Sequence, residues 1–338
     1  MQYLKMIKTE FSRVNDLFLT YPKGFHDAND NLISFYQKLI GLVPDNIRQF
    51  IIVNNEAAGA EIKTIYPKKN IEIIVIDSFK ELWLRDIMGF NTGINRIYRP
   101  IYNPNYCNYI YTSYYLETIS CQVNQIFEKS IGAEVVEMPL ILDGGNFVSN
   151  GKIAFITDKV IKENKNISKY ISKMLYNYLG VETIIIPTNK HDNLAHADGY
   201  MNFLNEKRIC LAEYPDIDFL KDDNEYLEQL RKLVIGKDLD IITIYDRPVA
   251  EKVKGSGKNE FDTSKDCLNS ARGIFVNFLI LNDTIILPEY TIPNYKRKMF
   301  YNGVNKQILK NLGYKVISIN CDELASLGGS LHCISFTN

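Results

Sequence analysis

Polar or reactive side chains follow apolar stretches at five places along this chain of 338 residues. The five clusters contain Asp86 in WLRD, Asp143 in LDGG, His196 and Asp198 in HAD, Asn277 in FVNF, and Cys333 in GGSLHC. A cysteine thiolate is a nucleophile when a base or a cation favours its formation. Carboxylates that gather in one cavity hold a metal, share protons or bind a cation. Covalent chemistry at Cys333 is therefore indicated if folding brings the clusters together.

The chain offers four histidines as partners for this cysteine. His332 precedes Cys333 directly, but successive residues of a strand point to opposite faces, which makes it a poor partner. His26 and His191 lie in polar stretches and are expected at the surface. His196 opens one of the polar clusters, at the position in its repeat that corresponds to Cys333. We therefore predict His196 as the acid or base that serves the thiolate.

The surroundings predicted for this pair are acidic, because Asp86, Asp143 and Asp198 would share its cavity. Carboxylates match a planar guanidinium group in paired, charge-assisted hydrogen bonds. A hard-metal site is the alternative, but the sequence has neither an Asp-x-Asp calcium loop nor Cys and His at zinc-ligand spacing. A cysteine protease would not need the three acids. The residues favour a thiolate that faces a carboxylate-bound guanidinium carbon, with no metal.

A repeat of roughly fifty residues positions these clusters. From Asp143, from His196 and from Ala271, the sequence gives two strands, a helical stretch and a third strand. The pattern extends more weakly to the segment that begins at Asp86 and to the N-terminal segment. About five ββαβ units are predicted, the first completed by the C-terminal strand near Cys333. In a closed ring, the starts of the inner strands would face the axis and bring one polar group per unit to a central site.

Composition narrows the class of protein. A hydrophobic content of 46% suffices for a large core, and the repeat crosses the midpoint without a linker, so residues 1–338 are expected to form a single domain. The formal net charge of −1, with the two signs interspersed, argues against nucleic-acid binding. No apolar run is long enough for a membrane span, and the N-terminus lacks the apolar core of a signal peptide. A cytoplasmic protein is expected, and a homo-oligomer remains open.

The six cysteines are scattered, without a CxxC pair. In a cytosolic chain most of them should be reduced and should pack as small apolar side chains. Cys333 differs because it follows Gly328 and Gly329, where the backbone can approach a ligand closely. The six positions are Cys107, Cys121, Cys210, Cys267, Cys321 and Cys333.

The ordered motifs WLRD, LDGGNFVSNG, HADGYMNF, FVNFLILND and LGGSLHCIS together resemble the agmatine deiminase and Porphyromonas-type peptidylarginine deiminase family of the guanidino-group-modifying superfamily. The resemblance runs from about Trp83 to Ser335 and implies a five-bladed α/β propeller, the pentein fold. It also implies hydrolysis of a guanidino group to a ureido group and ammonia through a covalent cysteine adduct, without a cofactor.

The resemblance assigns roles by motif position. Cys333 corresponds to the nucleophile and His196 to the general acid and base, while Asp86 and Asp198 correspond to the carboxylates that clamp the guanidinium group. Asp143 stands where agmatine deiminases carry a glutamate in LEGG, which implies a similar role with a side chain one methylene shorter. Further candidates for substrate binding are Asn277, Trp83 and Arg99. For Trp83 the alternative is a position in the hydrophobic core.

The substrate is less determined than the reaction. Ile87, Met88 and Gly89 replace the end of the usual WxRDxGP motif, and a tyrosine-rich segment, residues 98–115, replaces a segment typical of agmatine deiminases. Agmatine, giving N-carbamoylputrescine, is our first expectation. The alternative substrates are free or peptidyl arginine, whose carboxylate would need a cation at the cavity mouth, with Arg99 preferred among four arginines. The four are Arg96, Arg99, Arg247 and Arg272.

Two alternatives concern the reaction itself. An amidinotransferase would share the first half-reaction and then pass the amidino group to an amine. A propeller of this type could also act as a binding module without catalysis, although the presence of Cys333, His196 and both clamp aspartates argues against it.

Overall fold

The computed structural model describes residues 7–25, 28–93, 95–103, 113–192, 194–251, 270–292 and 300–338. The strands of the described residues form five separate sheets. In every sheet an antiparallel pair is followed by a parallel strand. Parallel neighbours need a crossover connection, and in each unit that connection contains a helix. This is the predicted ββαβ unit, repeated five times.

The first unit joins the two ends of the chain. Strand β16 pairs antiparallel with β1 and aligns Phe336 with Phe18, so the C-terminal strand completes the first unit as predicted. The elements of this unit are β1 (Asp16–Thr20), α1 (Asp30–Leu42), β2 (Arg48–Val53), α2 (Glu56–Ile65), β3 (Ile71–Val75) and β16 (Ser335–Thr337).

The other four units follow in chain order. The second contains α3 (Leu84–Met88), β4 (Phe90–Asn91), β5 (Arg96–Ile101), α4 (Ser113–Lys129) and β6 (Glu134–Ile141). The third contains β7 (Val148–Ser149), β8 (Ile153–Thr157), α5 (Lys159–Glu163), α6 (Ile171–Leu179) and β9 (Glu182–Ile186). The fourth contains β10 (Met201–Phe203), β11 (Arg208–Glu213), α7 (Lys221–Ile235) and β12 (Asp240–Tyr245). The fifth contains β13 (Leu279–Leu281), β14 (Thr284–Glu289), α8 (Phe300–Asn311) and β15 (Lys315–Asn320), after which the short α9 (Asp322–Ala325) leads back to the first unit.

Local sequence signals set several helix ends. The side chains of Asn29 and Asn55 accept hydrogen bonds from the backbone of the first turns of α1 and α2, as N-cap residues do. Gly180 ends α6 in the left-handed conformation that glycine adopts at little cost. The apolar faces pack mainly against neighbouring units. Phe18 of the first unit, for example, shares a buried aromatic cluster with Phe127 of the second.

Polar contacts connect each unit to the next and close the ring. A backbone or side-chain contact joins every consecutive pair of units near the starts of the inner strands. These contacts are Arg85 N to Cys333 O (3.0 Å), Gly145 N to Asp86 Oδ1 (2.9 Å), His196 Nε2 with Asp143 Oδ2 (2.9 Å), Asn277 Nδ2 to Asp198 O (3.1 Å) and His332 N to Asn277 Oδ1 (3.1 Å). The predicted five-bladed α/β propeller is confirmed, and its polar clusters meet at the axis.

The local structure of the clusters differs from the prediction in one respect. His196 and Asp198 lie at a 3-10 turn, Ala197–Gly199, that precedes β10, rather than at the start of a strand. Asp86 lies on the short helix α3, and Asn277 lies two residues before β13. Turns point neighbouring side chains in different directions, which gives His196 and Asp198 different partners. None of the helices in the described ranges is long and apolar enough to cross a membrane.

Candidate active site

Cys333 lies in the turn before β16, at the wall of a cavity of about 520 Å³. Its Sγ atom is 3.5 Å from Asn277 Oδ1 and 3.9 Å from Asp198 Oδ2. Burial, together with the negative charges of Asp198 and Asp86, raises the pKa of the Cys333 thiol well above its ordinary value. The thiol is therefore protonated in the free protein at neutral pH, and a cation placed between these carboxylates would favour the thiolate.

Three polar groups from the second and fourth units surround Gly145 of the third. A Cβ atom at this position would lie 2.8 Å from His196 Nδ1, 2.9 Å from Asp86 Oδ1 and 3.2 Å from Asp198 Oδ2. Any side chain here would displace at least one of them, which explains the second glycine of LDGG. The Gly145 amide also donates to Asp86 Oδ1 at 2.9 Å and so fixes that carboxylate. The sequence-predicted clamps and the histidine are thus brought to one point.

His196 has carboxylates beside both ring nitrogens. Its Nε2 lies 2.9 Å from Asp143 Oδ2, and its Nδ1 lies 3.7 Å from Asp86 Oδ1. Burial alone would lower the pKa of His196, but the two carboxylates outweigh it and raise the pKa to about 9. An imidazolium with this pKa holds a proton at neutral pH, and Nδ1 is the nitrogen that faces Asp86 and Gly145. The side chain is suited to act as a general acid at that point.

Asp143 requires a correction, because we expected it to bind substrate. Its side chain is fully buried and pairs with His196 and with the ammonium group of Lys159. Asp143 is not among the residues that line the cavity. Burial would raise the pKa of Asp143, but Lys159 and His196 lower it to about 2, so the carboxylate is ionised. Its side chain is short, and the structure places it behind the histidine.

Asp86 and Asn277 complete the polar cluster. Burial raises the pKa of Asp86 to about 6, with Asp143 and Asp198 contributing in the same direction and His196 opposing. Asn277 lines the cavity, accepts from His332 N and donates to Asp198 O. The amide of Asn277 thus satisfies buried backbone groups, and its Oδ1 also lies beside the cysteine sulfur.

Two other substrate-binding predictions need correction, because neither side chain lines the cavity. Arg99 is buried and pairs with Glu137 and Ser120 within the second unit. Trp83 packs with the core, and a Cβ at residue 329 would lie 2.3 Å from its ring. Gly329 therefore lets the indole approach the backbone closely behind the cavity wall. Arg96, Arg247 and Arg272 are likewise not among the described residues that line the cavity.

The rest of the described cavity lining comes mostly from the fourth and fifth units and from the segment that leads into the fourth. Asp192, Asp223 and the aromatic side chains of Tyr214 and Phe219 contribute to it. His191, which we expected at the surface, is half-exposed there and lies 3.3 Å from Asp223 Oδ2. Two predictions lie outside the described residues, namely the surface position of His26 and the role of residues 104–112 of the tyrosine-rich segment.

Comparison with known proteins agrees with this geometry. The family model of Porphyromonas-type peptidyl-arginine deiminases matches residues 6–338. The chain belongs to this family. A putative agmatine deiminase of Legionella pneumophila (strain Paris) is 26% identical over 220 residues, covering 61% of this chain but only 58% of that relative.

Solved structures show the same fold. A putative peptidyl-arginine deiminase superimposes with a TM-score of 0.79 at 20% identity, covering 100% of this chain and 99% of the other. The agmatine deiminase of C. jejuni gives a TM-score of 0.76 at 18% identity, with 98% and 96% covered. At these identities the likeness establishes the propeller fold and carries no information on substrate.

Sequence reasoning missed part of the polar network of this family member. His332 Nδ1 lies 2.7 Å from Asp198 Oδ2, and the other ring nitrogen lies 3.4 Å from Glu10 Oε2. Glu10 accepts hydrogen bonds from both terminal nitrogens of Arg85, at 2.7 and 3.0 Å. Lys159 was also missed. His332 and Arg85 could have been found from the sequence, because each directly precedes a predicted site residue, Cys333 or Asp86. Nothing local in the sequence points to Glu10 or Lys159.

Proposed function

We propose that this family member is a hydrolytic deiminase that converts a guanidino group to a ureido group and ammonia through a covalent adduct on Cys333. The observation that carries the proposal is the convergence of Cys333, His196, Asp86 and Asp198 around Gly145. The polar clusters of all five units meet at this centre once Asp143 and Asn277 are added to these four residues, so we also propose that residues 1–338 act as one catalytic domain.

The first half-reaction begins when a guanidinium group binds between the carboxylates of Asp86 and Asp198. Its positive charge offsets the two negative charges that raise the pKa of Cys333, so the thiol loses its proton to solvent. The thiolate attacks the guanidinium carbon. As the tetrahedral adduct collapses, the His196 imidazolium donates a proton from Nδ1 to one amino group, which leaves as ammonia. A thiouronium adduct on Cys333 remains.

The second half-reaction consumes one water. Neutral His196 accepts a proton from the water as its oxygen attacks the adduct carbon. Collapse then breaks the carbon–sulfur bond, releases the ureido product and regenerates the Cys333 thiolate. The sum is the guanidinium cation plus water giving the ureido compound plus ammonium, and no redox partner or cofactor is needed.

We propose agmatine as the substrate, with N-carbamoylputrescine as the product. The described part of the cavity is lined by Asp192, Asp223 and the aromatic ring of Tyr214. Carboxylates beside aromatic faces suit an alkylammonium group. Lys190, the lysine of that lining, is paired with Asp222 at 2.5 Å, and an unpaired substrate carboxylate there would cost several kcal/mol. The agmatine deiminase names of the relatives support the same choice.

An ammonia-release assay tests this proposal directly. Agmatine, arginine, a blocked arginine peptide and methylated arginines would each be incubated with the parent enzyme and with Cys333→Ser as the blank. We expect agmatine to give the highest kcat/KM. Faster ammonia release from the arginine peptide would show that peptidyl arginine, not agmatine, is the substrate. Transfer of the amidino group to an added amine would show that the enzyme is an amidinotransferase. If none of the four substrates released ammonia, the result would favour the binding module without catalysis.

A further inference from the structure

Four ionisable side chains form a buried row that ends at His196. Lys159 Nζ contacts Asp143 Oδ2, lies 3.4 Å from His196 Nε2 and lies 3.8 Å from Glu163 Oε1. The side chains of Asp143, Lys159 and Glu163 are 0%, 5% and 6% exposed. None of these three residues lines the cavity, so they act on a substrate only through His196.

The row fixes how His196 is turned. Asp143 Oδ2 contacts both the ammonium group of Lys159 and Nε2 of the His196 imidazole. Lys159 therefore fixes the carboxylate, and the carboxylate fixes the imidazole ring. This leaves Nδ1 directed toward Asp86 and the space above Gly145. Lys159 lies on α5 of the third unit, whereas His196 belongs to the fourth, so the contact also sets the position of one unit against the next.

We propose that Lys159 is a positioning residue that orients His196 through Asp143 and limits how tightly the imidazole holds its proton. This inference rests on the proposed function, which requires His196 to donate a proton in the first half-reaction and to accept one in the second. A histidine that holds its proton too tightly is a weak acid for the departing ammonia, and one that holds it too loosely is a weak base for the attacking water.

The charges around His196 make such a limit necessary. The anionic neighbours are Asp86 on α3, Asp143 before β7, Glu163 on α5 and Asp198 on the turn that follows the histidine. Cys333 faces the same space from the turn before β16 and adds negative charge when it ionises. In this group, Lys159 is the fixed positive charge beside the ring. Burial and the positive charge of Lys159 lower the pKa of His196, whereas the carboxylates raise it.

Glu163 gives a matched variant of opposite sign. Burial raises the pKa of Glu163 to about 7, so its carboxyl group is ionised above that pH and partly offsets Lys159. Removing the Glu163 charge should strengthen the effect of Lys159 on His196 and lower the pKa of His196. Removing the Lys159 charge should do the reverse.

The test is a histidine NMR titration of Lys159→Met, Glu163→Gln and the parent, each labelled at the imidazole carbons and assigned by the signal that His196→Asn removes. We expect Lys159→Met to raise the pKa of His196 by at least about one unit, a tenfold change in proton affinity. We expect Glu163→Gln to lower it at pH values above about 7. Lys162→Met is the control, since Lys162 is exposed on the same helix and contacts Asp158 and Thr188.

Steady-state and quenched-flow measurements supply the second readout. In Lys159→Met the adduct on Cys333 should form more slowly at neutral pH, because a His196 that holds its proton more tightly is a weaker acid for the departing ammonia. Lys159→Arg, which keeps the charge, should return the pKa of His196 toward the parent value. If Lys159→Met does not fold, Glu163→Gln and Lys159→Arg still decide the question.

Shifts of less than about 0.3 units in Lys159→Met and Glu163→Gln, or shifts of the same sign, would overturn the inference. Because the titration needs no turnover, its failure is distinguishable from failure of the deiminase proposal, which is decided by the ammonia assay.

Discussion

His332 Nδ1 lies 2.7 Å from Asp198 Oδ2, and both side chains are buried. Burial and the neighbouring Arg85 would lower the pKa of His332, but the Glu10 and Asp198 carboxylates outweigh them and raise it. For Glu10, burial opposes ionisation, yet Arg85 and His332 lower its pKa to about 2. A row of alternating charges from Arg85 through Glu10 and His332 therefore holds the clamp carboxylate of Asp198 in one orientation.

Replacing His332 by Gln should weaken substrate binding without changing the nucleophile. The amide keeps a donor but loses the charge, so Asp198 is held less firmly, and we expect kcat/KM for agmatine to fall by about tenfold, mainly through KM. Steady-state kinetics with a thermal-unfolding check on each variant would measure this. Glu10→Gln should act in the same direction with a smaller effect. Values within twofold of the parent for both variants would show that Asp198 is oriented without the row.

Replacing the carboxylate of Asp86 or Asp198 should lower kcat/KM by more than replacing His332. Asp86→Asn and Asp198→Asn keep the size of the side chain but remove a charge-assisted hydrogen bond to the guanidinium group. Such bonds are worth about 1.5 to 3 kcal/mol, and more when buried. Because both carboxylates are buried, we expect the upper end of this range or more, which lowers kcat/KM by about a hundredfold or more. A loss of only tenfold in both would indicate a solvated role outside the reaction centre.

The pH profile should reflect Asp86. A guanidinium cation needs the ionised carboxylate, and burial raises the pKa of Asp86 to about 6. The fraction of Asp86 that is ionised therefore decreases as the pH falls through about 6, and kcat/KM should decrease with it. This limb should be absent from the residual activity of Asp86→Asn. Its persistence in that variant would assign it to another group.

The sequence was sufficient to predict the ββαβ repeat, the closing strand and the meeting of the five polar clusters at the axis. This worked because strands and helices follow local periodicity, and equivalent positions in a closed ring face the axis. Glu10 and Lys159 could not be predicted, since each reaches the centre through contacts with residues 75 and 16 positions away in the sequence. Arg99 was assigned to the cavity by its distance from Asp86 along the chain, but β5 and β6 align it with Glu137, which supplies its ion pair.

The ion pair between Arg99 and Glu137 changes the expected effect of replacing Arg99. Because Arg99 pairs with Glu137 and does not line the cavity, Arg99→Ala should leave KM within twofold for both agmatine and arginine, while the free energy of unfolding decreases. Asp192→Asn, in the cavity lining, should raise KM for agmatine several-fold and leave arginine little affected. Parallel Michaelis–Menten series on the two substrates test both. A sharp rise in KM for arginine alone in Arg99→Ala would restore the original assignment.

The most direct test of the account is the intact mass of the enzyme after rapid mixing with agmatine and acid quenching. The proposed mechanism predicts a species heavier than the free protein by the mass of agmatine less one ammonia, localised to Cys333 by peptide mapping and absent from Cys333→Ser. His196→Asn keeps the nucleophile but loses the acid and base, so it should show slowed formation and decay of this species. Release of ammonia from agmatine by Cys333→Ser at a rate near that of the parent, with no adduct on the parent enzyme, would contradict the account.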